Sequence, residues 1–145
     1  MGIEENKAIV NQFRERMSKG DTSAIDELMT TNCVLHALGA TPTRDFNREE
    51  FRQMLENAGA IWSDMSVTYE DIIAEGDKVV IRATRSGKHT GKLNNIEPTG
   101  KTVTVVRFSV FRIEDGKIAE MWNMDNLLSQ FQQLGVIPPF EEIGK

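Results

Sequence analysis

The sequence predicts an α+β domain in which helices cover one face of a bent antiparallel sheet. Three observations predict it. Apolar residues recur at spacings of three and four between Ile9 and Ala58, the period changes to two from Met65 onward, and Asp115-Gly116 joins two strand-like runs. The second of those runs leads into an amphipathic segment stopped by Gly135. The 145 residues make one domain, 1–145, long enough to bury a substantial core.

Each element has its own signal. Ile9, Val10, Phe13 and Met17 form one face of a first helix, which Gly20 ends. Asp21-Thr22 can cap a short second helix carrying Ile25, Leu28 and Met29, and Cys33, Val34 and Leu35 read as a brief strand reaching His36. Gly39 to Asp45 reads as a loop. Asn47 with Glu50 three residues on makes a capping box, opening a helix with Phe51, Met54, Leu55 and Ala58 on one face. Met65, Val67, Tyr69, Asp71 and Ile73 alternate with Ser66, Thr68, Glu70 and Ile72, as in a strand. Gly76-Asp77 turns the chain, so that Val79 to Arg85 returns beside it and Asp71 meets Arg82. Ser86 to Lys101 is partly loop, Thr102 to Ile113 a long strand, Lys117 to Met124 the last strand and Asn126 to Leu134 the last helix.

Composition excludes several function classes. A net charge of −5 without any Lys or Arg run argues against nucleic acid or an anionic membrane as partner. The lone Cys33 cannot form an internal disulfide, no stretch approaches the length of a membrane span, and the charged first eighteen residues lack the apolar core of a signal peptide. A cytoplasmic protein is the expectation.

The last hairpin points to a small-molecule pocket. A tight Asp115-Gly116 turn sets Ile113 opposite Ile118, Phe111 opposite Glu120, Ser109 opposite Trp122 and Arg107 opposite Met124. On the other side Val110 meets Met121, Phe108 meets Asn123 and Val106 meets Asp125. That second side, which also sets Arg112 opposite Ala119, is almost wholly apolar near its middle, with Asn123 and Asp125 its polar members at one end, so it is expected to face the helices and a cavity. The first side, with Phe111 and Trp122, is expected to be a homodimer interface, because large apolar groups are costly to leave in water.

Asp125 against apolar walls is the usual raw material of a general acid or base, since desolvation raises its pKa. It equally fits a helix N-cap, worth about 1 kcal/mol, in which case its pKa is lowered. Asn123 is either a satisfied polar group or a donor to a developing oxyanion. Phe108, Val110 and Met121 would supply the dry wall of a site for a small hydrophobic molecule, with Trp62 and Tyr69 as further candidate ligand contacts. His36, ending an apolar strand, could look into the cavity, and His89 is a second candidate. Zinc is not expected: Cys33 and His36 would point to opposite faces of a strand, and no third ligand has matching spacing. No phosphate-binding glycine loop, dinucleotide fingerprint or nucleophile elbow is present.

The sequence resembles the SnoaL-like polyketide cyclase (ester cyclase) family, within the NTF2-like, ketosteroid-isomerase-like superfamily. The matching pieces are VLHALG at 34–39, SDMSVTYEDIIAEGDKVVIRATRSGKHTG at 63–91, EPTGK at 97–101, FRIEDGKIAEMW at 111–122 and LLSQFQQLG at 127–135. The resemblance implies a cone-shaped fold, a curved sheet wrapped around a long helix with an apolar cavity inside, and often a dimer. It implies ring closure on a polyketide ester by intramolecular aldol condensation, without metal or organic cofactor. Asp125 matches the acidic residue near the end of the last strand that acts as general acid/base, His36 a recurrent pocket histidine, and His89 the histidine of a GxHxG-type segment.

Overall fold

A computed structural model describes residues 2–145. Helices α1 (Ile3–Ser18) and α2 (Ser23–Leu28) come first, followed by strand β1 (Met29–Ala37), the short strand β2 (Arg44–Phe46) and helix α3 (Arg48–Ile61). Four longer elements follow: β3 (Trp62–Glu75), β4 (Lys78–His89), β5 (Thr102–Glu114) and β6 (Lys117–Asp125). Helix α4 (Leu127–Leu134) and a single 3₁₀ turn at Phe140–Glu142 complete the chain. Among the described residues no helix is long and apolar enough to cross a membrane.

Local signals explain where these elements begin and end. The Asn47 side chain accepts from the Glu50 backbone N–H at 2.8 Å while Glu50 accepts from the Asn47 N–H at 3.0 Å, so both orphan donors at the start of α3 are satisfied. Asp115 and Gly116 both have positive φ, the geometry whose twist matches the strands it joins. Gly135 closes α4 in the left-handed conformation.

The six strands form one curved, unclosed sheet in the order β2-β1-β6-β5-β4-β3. The sheet is mixed: β1 pairs with β6 in parallel, and the other pairings are antiparallel. The end of the segment Gly39 to Asp45 is not loop: Arg44 and Asp45 belong to β2, which pairs with the end of β1.

Two of the sheet's register shifts decide which side chains point inward near the site. In β6, Ile118 pairs with Ile113 but Glu120 pairs with Arg112, leaving Ala119 as a bulge. Every pair beyond it slips by one from the register a regular hairpin requires. Phe111 therefore meets Met121, Ser109 meets Asn123 and Arg107 meets Asp125. In β3, Glu70 is the extra residue between Tyr69, opposite Ala83, and Asp71, opposite Arg82. Tyr69 and Ile72 thus share the inner phase, while Ile73 turns outward and is 63% exposed.

The inner face reads as rows across the sheet. One row runs Ala74, Val79, Phe111, Met121, Leu35, the next Ile72, Ile81, Ser109, Asn123, Ala37, and the next Tyr69, Ala83, Arg107, Asp125. Against the first rows α1 sets Val10 and Phe13 and α3 sets Phe51, forming the main core with Ile25, Met29, Leu35 and Ile118. Phe13 sits between Phe51 at 6.4 Å and Phe111 at 6.3 Å, ring centre to ring centre. A second, smaller core of Val103, Val105 and Leu134, with Trp62 and Phe131 beside it, lies at the other end.

Candidate active site

Between the two cores the sheet, α1, α3 and α4 enclose a hollow of about 420 Å³, within the range typical of small-ligand pockets. Its apolar wall includes Met17, Leu55, Trp62, Val67, Val103 and Val105. Its polar wall includes Tyr69, Arg85, Arg107 and Gln130. A smaller hollow of about 120 Å³ opens on the other side of Arg107 and is lined by Leu35, Gly39, Met54, Asn123, Asp125 and Leu127. Arg107 belongs to both walls.

Asp125 ends β6 on the inner face, and the bulge at Ala119 brings Arg107 directly across from it. The pair is two-pronged: Arg107 Nε donates to Oδ1 at 2.7 Å and Nη2 to Oδ2 at 2.9 Å. Arg85 adds a longer contact, Nη1 to Oδ1 at 3.8 Å. Burial alone pushes the Asp125 carboxyl up, but the hydrogen bonds and charge of Arg107, with the charge of Arg85, more than reverse this and hold it below its ordinary value. The raised pKa expected from desolvation is therefore not what this site produces, because a regular hairpin register sets Arg107 against Met124 and hides the partner. The cap role is also taken by another residue: Asn126 precedes α4, and its side chain accepts from the Ser129 backbone N–H at 3.2 Å.

Asn123 lies one inner position before Asp125, buried, with its Oδ1 accepting from the Ser109 hydroxyl at 2.7 Å. This leaves the amide NH₂ as the donor end of the side chain. Trp62 and Tyr69 line the larger hollow. The position of Trp62 depends on Gly91: Thr90 and Gly91 both donate to the Ile61 carbonyl, and a Cβ at residue 91 would lie 1.8 Å from the Ala60 oxygen.

Other expected contacts sit elsewhere. Phe108 and Val110 occupy the outer phase of β5, and Phe108 is 49% exposed; the slipped register puts Val105, Arg107 and Ser109 inward in their place. Met121 does point inward but is packed in the main core, away from both hollows. His36 faces the outer side, since strand alternation puts Cys33 and Leu35 inside. There its Nδ1 lies 2.7 Å from Asp45 and its Nε2 2.6 Å from Glu120, with the ring stacked on Trp122 at 5.4 Å. Burial lowers the His36 pKa, but Glu120 and Asp45 outweigh it and raise it overall. His89 is fully buried and accepts at Nδ1 from the Thr99 backbone N–H at 3.1 Å; its ring packs against Trp62 but lies off the wall of either hollow. Phe111 points into the main core, so it cannot share an outer face with Trp122.

Arg85 and Arg107 escaped a reading based on apolar patterning. The signal was their strand phase: Arg85 continues the run Val79, Ile81, Ala83, and Arg107 the run Val103, Val105. The remaining reactive candidate, Cys33, is buried, and its thiol is pushed up to about 11, mainly by burial, so it is not a nucleophile at neutral pH. Among the described residues no group of three or more His, Cys, Asp or Glu side chains is arranged to hold a metal ion.

The match to the family model for SnoaL-like polyketide cyclases runs over residues 7–134. The chain belongs to the SnoaL-like polyketide cyclase family. Solved structures with the same fold include AclR from Streptomyces galilaeus, 22% identical, covering 98% of this chain and 92% of that one with a TM-score of 0.84. IdmH from Streptomyces antibioticus is 26% identical over 90% of this chain and 99% of its own, with a TM-score of 0.79. TsrD from Streptomyces laurentii is 29% identical over 90% of this chain and 97% of its own, with a TM-score of 0.74. No curated protein sequence matches the chain. Membership in this family supports a cyclase- or isomerase-type role for the NTF2-like fold seen here.

Proposed function

We propose that the chain is a cofactor-independent enzyme that acts on a hydrophobic, polyketide-like carbonyl compound by removing a proton next to the carbonyl. The observation that carries this reading is the Arg107-bonded carboxylate of Asp125 on the wall of a hollow, beside a larger apolar one. Asp125 is ionised at neutral pH and takes the α-proton. The electron pair of the C–H bond moves to the carbonyl oxygen, giving an enolate that the Asn123 amide and Arg107 stabilise. In a cyclisation that enolate forms a C–C bond to a second carbonyl of the same molecule, and the resulting alkoxide recovers the proton.

The test is deuterium exchange of the α-protons of 2-tetralone in D₂O, followed by NMR. The native chain is expected to accelerate exchange, and Asp125→Asn to reduce it by about a hundredfold or more. Because Asp125 must be unprotonated and its carboxyl is held low, the rate is expected to stay flat through neutrality and fall only on the acid side of the ordinary carboxylate range. An Asp125→Asn variant as active as the native chain removes the base.

A second reading, a non-catalytic binder of a small apolar ligand, is favoured by the same ion pair, since engaging both carboxylate oxygens makes Asp125 a weaker base. It predicts no exchange by the native chain and unchanged ligand affinity in Asp125→Asn.

The outer sheet face fits a second copy of the chain. Val106, Phe108, Trp122, Met124 and Ile73 share it with the exposed Asp71–Arg82 ion pair, a mixed surface whose large apolar groups are costly to leave in water and which a two-fold contact would cover. Phe108→Asp is expected to give a folded monomer by light scattering, and a variant that stays dimeric, or a native chain that is already monomeric, rejects the interface.

A further inference from the structure

The walls around the larger hollow carry more positive than negative charge. Arg85 and Arg107 both line it. Arg107 is paired with Asp125 through two hydrogen bonds. Arg85 is not: its ion-pair contact is the 3.8 Å approach to that same carboxylate, already held through both oxygens. A third guanidinium, that of Arg14, lies 3.9 Å from the centre of the Tyr69 ring, and its Nη1 is buried with no hydrogen-bond partner among the described residues. Three guanidinium groups thus surround Tyr69 with one carboxylate among them, an excess of two positive charges beside an apolar chamber. Burial and the neighbouring Arg107 both weigh against the charged form of Arg85, which nonetheless stays protonated because a guanidinium gives up its proton only far above neutral pH. A charge partly withdrawn from water without a full partner is costly unless something binds it.

Arg85 and Tyr69 are placed to act together. Arg85 pairs with Val67 across the β3–β4 ladder and Tyr69 with Ala83, so the two are diagonal neighbours on the inner face. Tyr69 keeps its phenolic proton at neutral pH, because burial raises it more than the three arginines lower it, and it can therefore donate. The rest of the chamber is mainly apolar, from Trp62 and Val67 to Val103 and Val105, with Gln130 and the hydroxyls of Ser18, Ser66 and Ser86 as its other polar groups beside Arg107.

We infer that the larger hollow binds an apolar organic acid, its carboxylate held by Arg85 with the Tyr69 hydroxyl as a second donor. This deepens the reading above by giving the charge and class of the molecule. It rests on the larger hollow as the place where that molecule's body lies, and not on the chemistry of Asp125 beside the smaller one.

The experiment is calorimetric titration of the full chain with 2-naphthoate and with its neutral isostere 2-naphthamide. The acid is expected to bind about tenfold or more tightly than the amide, as a charge-assisted contact replaces a neutral one. Arg85→Gln is expected to remove that preference by weakening the acid alone, and Arg85→Lys to keep part of it. Equal affinities for acid and amide, no detectable acid binding, or a preference that survives Arg85→Gln each overturn the inference. If Arg85→Gln does not fold, the native comparison alone still decides. Preferential acid binding without 2-tetralone exchange would remove the proposed chemistry and leave this site standing; exchange without acid preference would do the reverse.

Discussion

Phe111→Ala is expected to destabilise the fold by about 3–5 kcal/mol, read from urea denaturation at neutral pH. Phe111 is 5% exposed and belongs to the main core. It lies edge-on to Phe13, which is in turn stacked on Phe51, so this ring ties β5 to α1 and α3. Truncation removes the transfer free energy of the ring and an aromatic contact worth about 0.5–1.5 kcal/mol beyond area. The site cannot collapse to recover the loss, since its sheet neighbours Val79 and Met121 are held by backbone ladders on both sides. Against a total stability on the order of 5–15 kcal/mol this is a large fraction. Phe111→Asp would bury an unpaired carboxylate in the same place and is expected to prevent folding rather than release a folded monomer. A loss below about 1 kcal/mol for Phe111→Ala would mean that the ring faces outward after all.

The misplacement of Phe111 shows what period and turn chemistry can and cannot reveal. The helices follow from spacing, the start of α3 from Asn47 and Glu50, and the hairpin from Asp115-Gly116, because each is a local signal with a local cause. Phase along a strand is local only while the alternation is unbroken. Ala119 beside Ile118 breaks it invisibly, since two small or apolar residues in a row fit either face, and Glu70 does the same in β3 between Tyr69 and Asp71. One such residue exchanges the faces of everything beyond it, which moved Phe108 and Val110 outward and Arg107 inward. The parallel β1–β6 pairing has no signal at all in the sequence, because a long stretch of chain separates the two strands and no turn links them. Within the site, Asp125 was legible as a polar residue ending an apolar strand face. Arg85 and Arg107 were not, because a charged residue in a strand reads as solvent-facing until its cross-strand partner is known.

Arg107→Met is expected to cost about 2–4 kcal/mol at pH 7, and the cost is expected to shrink on acidification. The substitution keeps an apolar stem but leaves the Asp125 carboxylate, only 18% exposed, without its two hydrogen bonds. A fully buried pair broken this way loses about 3–5 kcal/mol; the lower figure here reflects partial exposure of both groups and the 3.8 Å contact that Arg85 retains. The pH dependence follows from linkage. In the native chain the folded carboxyl is held below its unfolded value of about 3.9, so its contribution is fully present above that pH and is lost as pH falls through the lower folded value. In the variant, burial without a bonded partner pushes the carboxyl the other way, so the folded state binds the proton more readily and is stabilised as pH falls. The two chains therefore converge in stability toward acid pH. Adding Asp125→Asn to Arg107→Met removes the stranded charge and is expected to recover part of the loss, a coupling that a double-mutant cycle measures directly. A loss at pH 7 that neither changes with pH nor is relieved by the second substitution would mean that only packing of the Arg107 stem was lost, and that the pair does not hold the Asp125 carboxyl down.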